Sequence, residues 1–366
     1  MLLVAPLASR ATVLPDDRAD VLYHRYEGGG VTVDGPSVLV RKKVGESVSV
    51  AANYYVDMIS SASIDVVTTA SPYTERREQK SVSVDYLHGK SIYDLGYLAS
   101  DERDYHGKTA FGSLSQDLFG DLTTVSLGFS RGWDEVGKRG EPTFRRNVDR
   151  RNFRIGVSQV LTRDLLATAN FETITEQGYL QNPYRNMRYA LGGSYSYAPE
   201  TYPNTRTGNA GSVLAKYYLP WRAAASLQYR YYRDTWDIRA HTARLEFTQP
   251  LRKQWLFTGS YRYYRQNAAS FYSDLFPSVN YQNFMARDKE ISAYASHTIG
   301  IGATYDYRID RFSWLKRGTI NLNFDHLMID YRNFRDLRNA SGIAPGSEPL
   351  YGLDANVLQF FVSFWF

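Results

Sequence analysis

The chain has 366 residues, a formal net charge of +5 and no cysteine, which excludes disulfide frameworks, thiolate metal sites and thiol catalysis. It carries 30 Tyr, 18 Phe and 6 Trp, yet it has no run of about 18 apolar residues that would form a transmembrane helix. Because the basic residues are dispersed rather than clustered, we predict no nucleic-acid partner.

Two short segments precede the first predicted strand. Residues 1–11 combine an apolar stretch with small residues, which we interpret as the remnant of a signal peptide and a sign of export. We assign residues 12–20 to a periplasmic N-terminal segment and residues 21–366 to one barrel domain. Arginine accompanies the acidic residues within 16–20 and 101–104, so we interpret both stretches as solvated loops rather than metal sites.

From residue 21 onward, apolar and polar residues alternate with a period of two, and no stretch shows a helical period. In the segment 225–232, for example, Leu227 and Tyr229 share one face while Gln228 and Arg230 share the other. Strands of this kind separate an apolar surface from a polar one, and about 9–11 such residues are enough to cross a membrane.

The connections between these predicted strands alternate in length. Short ones lie at 45–46, 88–90, 119–121, 162–164, 219–221 and 250–253, and long ones at 57–76, 134–148, 177–207, 266–289 and 333–356. Fifteen strands follow Ser37, and an earlier strand at 21–27, joined by a loop at 28–35, makes the number even. The sequence therefore predicts an all-β, transmembrane, up-and-down antiparallel β-barrel of about 16 strands, with short periplasmic turns and long extracellular loops.

The tryptophans and the C-terminus agree with this barrel. Four tryptophans fall beside predicted short turns or the C-terminal end and two near the opposite strand ends, which we interpret as two aromatic girdles: Trp221, Trp255, Trp314 and Trp365, against Trp133 and Trp236. The last strand places Val362, Phe364 and Phe366 on its apolar face and ends on an aromatic residue. We predict that these three form the signal read by the barrel-assembly machinery of Gram-negative outer membranes. The chain is then an integral protein of that membrane, in contact with its lipid and lipopolysaccharide.

Several segments resemble one bacterial family of unknown function that is regarded as an outer-membrane barrel: Asp17–Val44, Asn53–Arg77, Phe119–Val136, Tyr229–Thr242 and Tyr264–Phe276. The resemblance implies the fold and the location. Genes of this family often lie near those for a thioredoxin-like protein, a small lipoprotein and a flavin transferase, which implies such neighbours as partners. The chain has neither a thiol nor a flavin-acceptor motif, so any redox role belongs to a partner and we expect no cofactor.

Charged residues on the polar faces of the strands are candidates for lining the barrel lumen: Arg154, Glu172, Lys216, Arg230, Arg244, Glu246, Arg262 and Asp325. They either line a path for small polar solutes, with a mild preference for anions, or pair with each other across neighbouring strands. Segment 59–71 is unusually poor in charge. We expect it to fold into the lumen as a constriction, the alternative being a strand extension above the membrane; the residues concerned are Ser60, Ser61, Asp65, Thr68 and Thr69.

Three functions remain open at this point. The leading prediction is an outer-membrane pore or transporter for a small polar solute. The alternative is a non-conducting barrel that serves as a dock or sheath for a periplasmic, lipoprotein or redox partner. A barrel hydrolase is the third, but the adjacent Ser296 and His297 point to opposite faces of a strand, and we expect no enzyme activity, no catalytic residue and no metal.

Overall fold

The computed structural model describes residues 13–60, 74–308, 315, 317–338 and 340–366, with the backbone alone at Ser60 and Thr74. This part of the chain forms strands and one short 3-10 helix (Lys289–Ile291). The strands are β1 (Arg18–Gly28), β2 (Val31–Val44), β3 (Val48–Ser60), β4 (Thr74–His88), β5 (Ser91–Asp101), β6 (Tyr105–Leu118), β7 (Thr123–Gly137), β8 (Arg145–Thr162), β9 (Leu165–Gly178), β10 (Asn186–Leu191), β11 (Ser194–Pro199), β12 (Thr205–Tyr218), β13 (Ala224–Asp234), β14 (Arg239–Leu251), β15 (Trp255–Gln266), β16 (Tyr294–Arg308), β17 (Arg317–Arg335) and β18 (Leu350–Trp365).

Sixteen of these strands close into a single antiparallel barrel in which chain neighbours pair, while β10 and β11 form a separate two-stranded hairpin. The predicted barrel and its strand number are confirmed. Every backbone hydrogen-bonding group of a closed barrel finds a partner strand, which is why this architecture can cross hydrocarbon. Among the residues described, no helix is long and apolar enough to span a membrane.

The barrel closes where the first strand meets the last. Strand β1 pairs with β18 from Arg18 opposite Trp365 to Gly28 opposite Ala355, and the Phe366 N–H donates to the Asp17 carbonyl at 3.4 Å. The barrel thus begins at Arg18, three residues before the predicted start at 21. The closure orders the chain to its last residue, because the C-terminal strand has a neighbour on each side.

The two ends of the barrel differ in their connections. At the short-turn end, the connections include 45–47, 89–90, 119–122, 163–164, 219–223 and 252–254. The long-loop end carries the connections 179–204, 267–293 and 336–349. The predicted loop at 28–35, at the same end, is wrong, because β2 already begins at Val31. Gly29 and Gly30 have φ angles of 61° and 79°, the positive values that a two-residue hairpin turn requires.

The wall has an apolar outside and a polar inside. Leu227 and Leu245 face each other across β13 and β14 and are 57% and 53% exposed, so they lie on the exterior. Ser49 and Asp85, paired across β3 and β4, are buried on the inner face. Directly opposed residues share a face of the sheet, and the strand register therefore assigns every described strand position to the exterior or the lumen.

The tryptophans fit the two predicted girdles only in part. Trp133, Trp221 and Trp255 are exposed as expected, and Trp314 lies outside the described residues. Trp236 is 4% exposed and lies in a buried aromatic cluster, which contradicts its predicted place in a girdle. Trp365 is opposite Arg18 and Arg317 on the lumen face, where the Arg317 guanidinium stands 4.3 Å from its ring.

Candidate functional site

All eight predicted lumen residues lie on the inner face of the wall. Arg154 is opposite Glu172, Lys216 is opposite Ser226, and Arg244 is opposite Arg262. Arg230 and Glu246 follow the same parity on β13 and β14, and Asp325 is opposite Gly300. A β-carbon at Gly300 would stand 2.2 Å from the Asp325 carboxylate, so the glycine makes room for that inward side chain.

Part of this charge is paired within the wall. Glu172 accepts hydrogen bonds from Arg230 at 3.1 Å and from Asn152 at 2.8 Å, and Arg244 donates to Glu246 at 2.8 Å. Ion pairing therefore neutralises some of the lumen arginines, within one strand for Arg244 and across the intervening strand β12 for Arg230. The expectation that the lumen charges line a path for solutes stays a prediction.

Arg262 differs from Arg230 and Arg244 in having no ion pair among the described residues. It stands directly opposite Arg244, and within the described part of the chain no carboxylate lies within ion-pair distance of it. Its guanidinium lies 5.3 Å from the Tyr264 ring. Like charges directly opposite each other across strands are destabilising, so this part of the lumen wall is a favourable position for an anion.

A second set of lumen charges was missed by the sequence analysis. Arg150 on β8 bonds Asp134 on β7 and Glu176 on β9, the latter at 3.0 Å, while Arg206 on β12 bonds Asp234 on β13 at 2.6 Å. These pairs lie near the long-loop end, where the wall begins to contact the loops. The alternation of the strands already placed these residues inward, and that parity was the available signal.

A histidine is also buried in this wall. His24 on β1 is 8% exposed, and its Nε2 lies 2.8 Å from the Asp57 carboxylate and 3.1 Å from the Tyr55 hydroxyl. The rings of His24 and Tyr55 stack at 4.8 Å. In contrast, Ser296 and His297 point to opposite faces as predicted, with Ser296 buried in the lumen and His297 bonded to Tyr261 on the exterior.

The long-loop end carries a folded cap, which we define as residues 179–204, 267–293, 336–338 and 340–349. The cap contains the hairpin of β10 and β11 and the 3-10 helix, inside stretches that the sequence analysis treated as loops. Its aromatic centre is Tyr202 and Phe271, which pack edge to face against Trp236. This contact is the reason that Trp236 is not in a girdle.

The cap packs against side chains that belong to the lumen face. A cluster of Tyr331, Phe334 and Tyr351 receives Tyr272 from the cap, and the Tyr272 hydroxyl donates to the Asn333 carbonyl at 2.9 Å. Tyr331 and Tyr351 have the inward parity of β17 and β18. The cap therefore covers part of the inner wall rather than standing free above the barrel.

Buried charges join the three connections of the cap. Arg188 on β10 is fully buried and bonds Asp274 and Glu348, the Glu348 oxygen at 2.5 Å. Arg287 bonds the other oxygen of Asp274 at 3.0 Å and lies 4.4 Å from the Phe334 ring. Burial costs such charges several kcal/mol each unless they are paired, and here they are paired within one network.

Two ionisable groups in the cap, Glu348 and Tyr202, have shifted pKa values. Burial acts to raise the pKa of the Glu348 carboxyl, but hydrogen bonds and charge from Arg188, with backbone N–H groups, outweigh it and hold that pKa below its ordinary value of 4.5. The buried Tyr202 hydroxyl donates to Asp288 at 3.2 Å. Its burial raises the pKa of Tyr202 well above its ordinary value, so it stays a donor.

Most of the predicted constriction segment lies outside the described residues. Ser61, Asp65, Thr68 and Thr69 lie outside the described residues, as does the side chain of Ser60, so the constriction at 59–71 stays a prediction. The inward-packed segments that the structure describes come from other connections.

One group of acidic side chains has the spacing of a cation site. Oxygens of Glu75, Glu102 and Asp104 lie within 4.8 Å of one another. Protein groups already approach each carboxylate: the Arg103 N–H donates to Glu75 at 3.2 Å, Arg77 lies 3.5 Å from Glu102, and the Tyr184 hydroxyl bonds Asp104. Burial raises the pKa of Glu102, which lies in the connection after β5.

A family model described as "Protein of unknown function (DUF3570)" matches residues 64–154 and 144–331, which is most of the chain. The chain belongs to the DUF3570 family. The resemblance to an uncharacterised family of outer-membrane barrels is thereby confirmed. No curated protein matches the chain.

Solved structures similar to this DUF3570 protein are outer-membrane barrels. A "Bacterial polysaccharide outer membrane secretin" has a TM-score of 0.52 at 8% identity, covering 96% of this chain and 100% of that chain. In vitro folded OmpT of Vibrio cholerae scores 0.44 at 10% identity over 99% and 100%. An anion-selective porin from Comamonas acidovorans scores 0.42 at 9% identity over 96% and 99%. Only the first score exceeds 0.5, and it supports the shared fold.

Proposed function

We propose that this DUF3570 protein is an outer-membrane pore or transporter of a Gram-negative bacterium, for a small polar solute with a preference for anions. The observation that carries the proposal is the uncompensated Arg262, opposite Arg244 on the lumen wall. A barrel of about 16 strands is wide enough to hold water unless something fills it, so lumen charges can act on solutes.

The arrangement of charges supports an anion preference. Arg230 and Arg244 each have one carboxylate partner, while Arg262 has none within ion-pair distance among the described residues. Arg262 is a fixed positive charge, since an arginine stays protonated in proteins. A fixed positive charge in a polar lumen raises the local concentration of anions and lowers that of cations.

The test is the reversal potential of the purified protein in planar bilayers under a KCl gradient. We expect the parent to favour chloride and Arg262→Gln to shift the reversal potential toward potassium. Arg265→Gln is the matched control, because it removes the same charge three residues further along β15 on the exterior face. An equal shift in both variants, or none in Arg262→Gln, would contradict the proposal.

The alternative function is a non-conducting barrel that docks a periplasmic, lipoprotein or redox partner. The fully paired network around Arg188 favours it, because a cap built on buried ion pairs can keep the lumen closed. A correctly folded protein that shows no conductance, and binds such a partner in cross-linking from intact cells, would support this alternative.

A further inference from the structure

A basic patch lies on the exterior of the barrel near the long-loop end, separate from the lumen. Arg233 on β13 is directly opposite Arg239 on β14, and Arg265 on β15 is directly opposite His241. All four side chains are exposed and share the exterior parity of Leu227 and Leu245. We call Arg233, Arg239, His241 and Arg265 the exterior basic patch.

The arginines of this patch lack the partners that other exterior arginines have. At the same end of the barrel, Arg76 pairs with Glu78, Arg131 with Asp149, and Arg145 with Glu135. Within the ranges described, neither Arg233, Arg239 nor Arg265 has a carboxylate at ion-pair distance. Arginines placed directly opposite each other repel, so the patch favours an anion from outside the protein.

Hydrogen-bonding rings begin at His241, within the patch, and continue from it toward the membrane. The Tyr229 hydroxyl and His241 Nδ1 are 2.7 Å apart, and the same arrangement recurs two strands further on, with the Tyr261 hydroxyl 2.7 Å from His297 Nδ1. The rings of Tyr231 and Tyr263 flank the two histidines at 5.0 and 5.1 Å. Tyrosines with one apolar and one wet side are typical of the membrane interface.

Toward the middle of the membrane the exterior of the same four strands becomes mostly apolar, with Tyr261 directly opposite Leu245. Leu227 and Leu245 continue into Ile299 and Ile301 on β16, which are 52% and 65% exposed. One surface therefore presents cations, then hydrogen-bonding rings, then hydrocarbon, from the long-loop end inward. A free anion would use only the first of these zones, whereas an anionic amphiphile uses all three.

We propose that the exterior basic patch binds the phosphate groups of an outer-leaflet glycolipid of the lipid A type, as in lipopolysaccharide. Arginine suits the task because its planar fork donates two hydrogen bonds to one phosphate. Arg233 and Arg239 bind one phosphate from adjacent strands, Arg265 and His241 provide further donors, and the acyl chains lie along the leucines and isoleucines. The site is independent of any conduction through the lumen.

Native mass spectrometry of the full-length protein in detergent tests this site. The probes are diphosphoryl lipid A, the same lipid after removal of both phosphates, and inorganic phosphate. The triple variant Arg233→Ser, Arg239→Ser, Arg265→Ser removes the charges of the patch. The matched control Arg163→Ser, Arg222→Asn, Lys253→Ser removes three exposed charges from turns at the short-turn end.

We expect the parent and the control to retain diphosphoryl lipid A at least tenfold better than the triple variant, with the dephosphorylated lipid bound weakly by all three. The three Arg→Lys changes should restore most of the binding, and this variant keeps the test informative if the serine variant folds poorly. Equal retention by the parent and the triple variant would overturn the proposal. So would full competition by inorganic phosphate at the lipid's own concentration, since that would show a free-anion site.

Discussion

The energetic role of a charged residue in this protein depends on which surface it occupies. Arg188 is buried and paired, and Arg262 faces the lumen with no carboxylate of the described residues at ion-pair distance. Arg265 faces outward only three positions away on the same strand. Arginine therefore has three roles in this protein. At position 188 it joins the connections of the cap, at 262 we propose that it attracts solute, and at 265 we propose that it binds lipid. Strand parity decides between the last two, and burial identifies the first.

Removing Arg188 should destabilise the cap. Arg188→Met leaves Glu348 without its arginine and Asp274 with Arg287 alone, and breaking a buried pair in this way costs about 3–5 kcal/mol. We expect faster hydrogen exchange and proteolysis within the cap, with the barrel strands unaffected. The exposed Arg163→Met is the control. A cap equally protected in Arg188→Met and the parent would show that the network does not hold it.

An arginine introduced on the exterior face should lower the free energy of unfolding far more than one introduced at the neighbouring lumen position. Leu227→Arg places a charge on the hydrocarbon face and should lower the free energy of unfolding by about 2–4 kcal/mol near the bilayer midplane. Ser226→Arg points into the lumen between Glu246 and Lys216, whose opposite charges offset each other, and should cost little. Urea titration in lipid vesicles measures both, and equal costs would contradict the assigned register.

Among the elements, the cap should respond to pH through its Glu348 ion pair. The Glu348 pKa is lowered in the folded protein, so its ion pair contributes fully to cap stability above the ordinary value of 4.5 and is lost as pH falls through the lowered pKa. We therefore expect the cap to exchange faster in acid, in a transition centred below pH 4.5. Glu348→Gln should remove this transition, and an unchanged transition in that variant would assign it to other groups.

The last strand should control assembly through its final aromatic residue. The Lys42 ammonium lies over the Phe366 ring, 5.0 Å from its centroid, and the Phe366 N–H donates to the Asp17 carbonyl where β18 meets β1. We predict that Val362, Phe364 and Phe366 together form the assembly signal. Phe366→Asp removes the last aromatic residue of that signal. We expect less heat-modifiable, folded protein in the outer membrane at equal synthesis. An unchanged amount of folded protein would argue against the signal.

The elements also show where sequence reasoning ends. A strand is encoded by alternation over about ten neighbouring residues, so the wall and the lumen faces of Arg230 and Arg262 were predictable. The cap rests on contacts such as Arg188 with Asp274, 86 residues away, and with Glu348, 160 residues away, which leave no local period. Trp236 was misplaced for the same reason, because a covering segment contributed by distant residues decides its surroundings.

At the scale of the whole molecule, the lumen and the cap have opposite effects on the proposed passage of solutes. The wall encloses a lumen with charges of both signs, and the cap covers part of that lumen at the long-loop end. We propose that the lumen conducts small anions and that the cap restricts the flow. Single-channel conductance, compared with and without the cap hairpin, tests both parts together.

The two ends of the hairpin lie close together, with the Glu200 N–H 3.4 Å from the Arg185 carbonyl, so a short linker can bridge them. The deletion also removes Arg188 from the buried network and thereby loosens the rest of the cap. Replacing residues 186–199 by Gly-Gly should raise single-channel conductance several-fold over the parent and keep the anion preference. Leu191→Ser, a change at the exposed hairpin tip, is the control and should conduct like the parent. If the folded parent and the deletion variant both fail to conduct, the pore account is contradicted and the docking function takes its place.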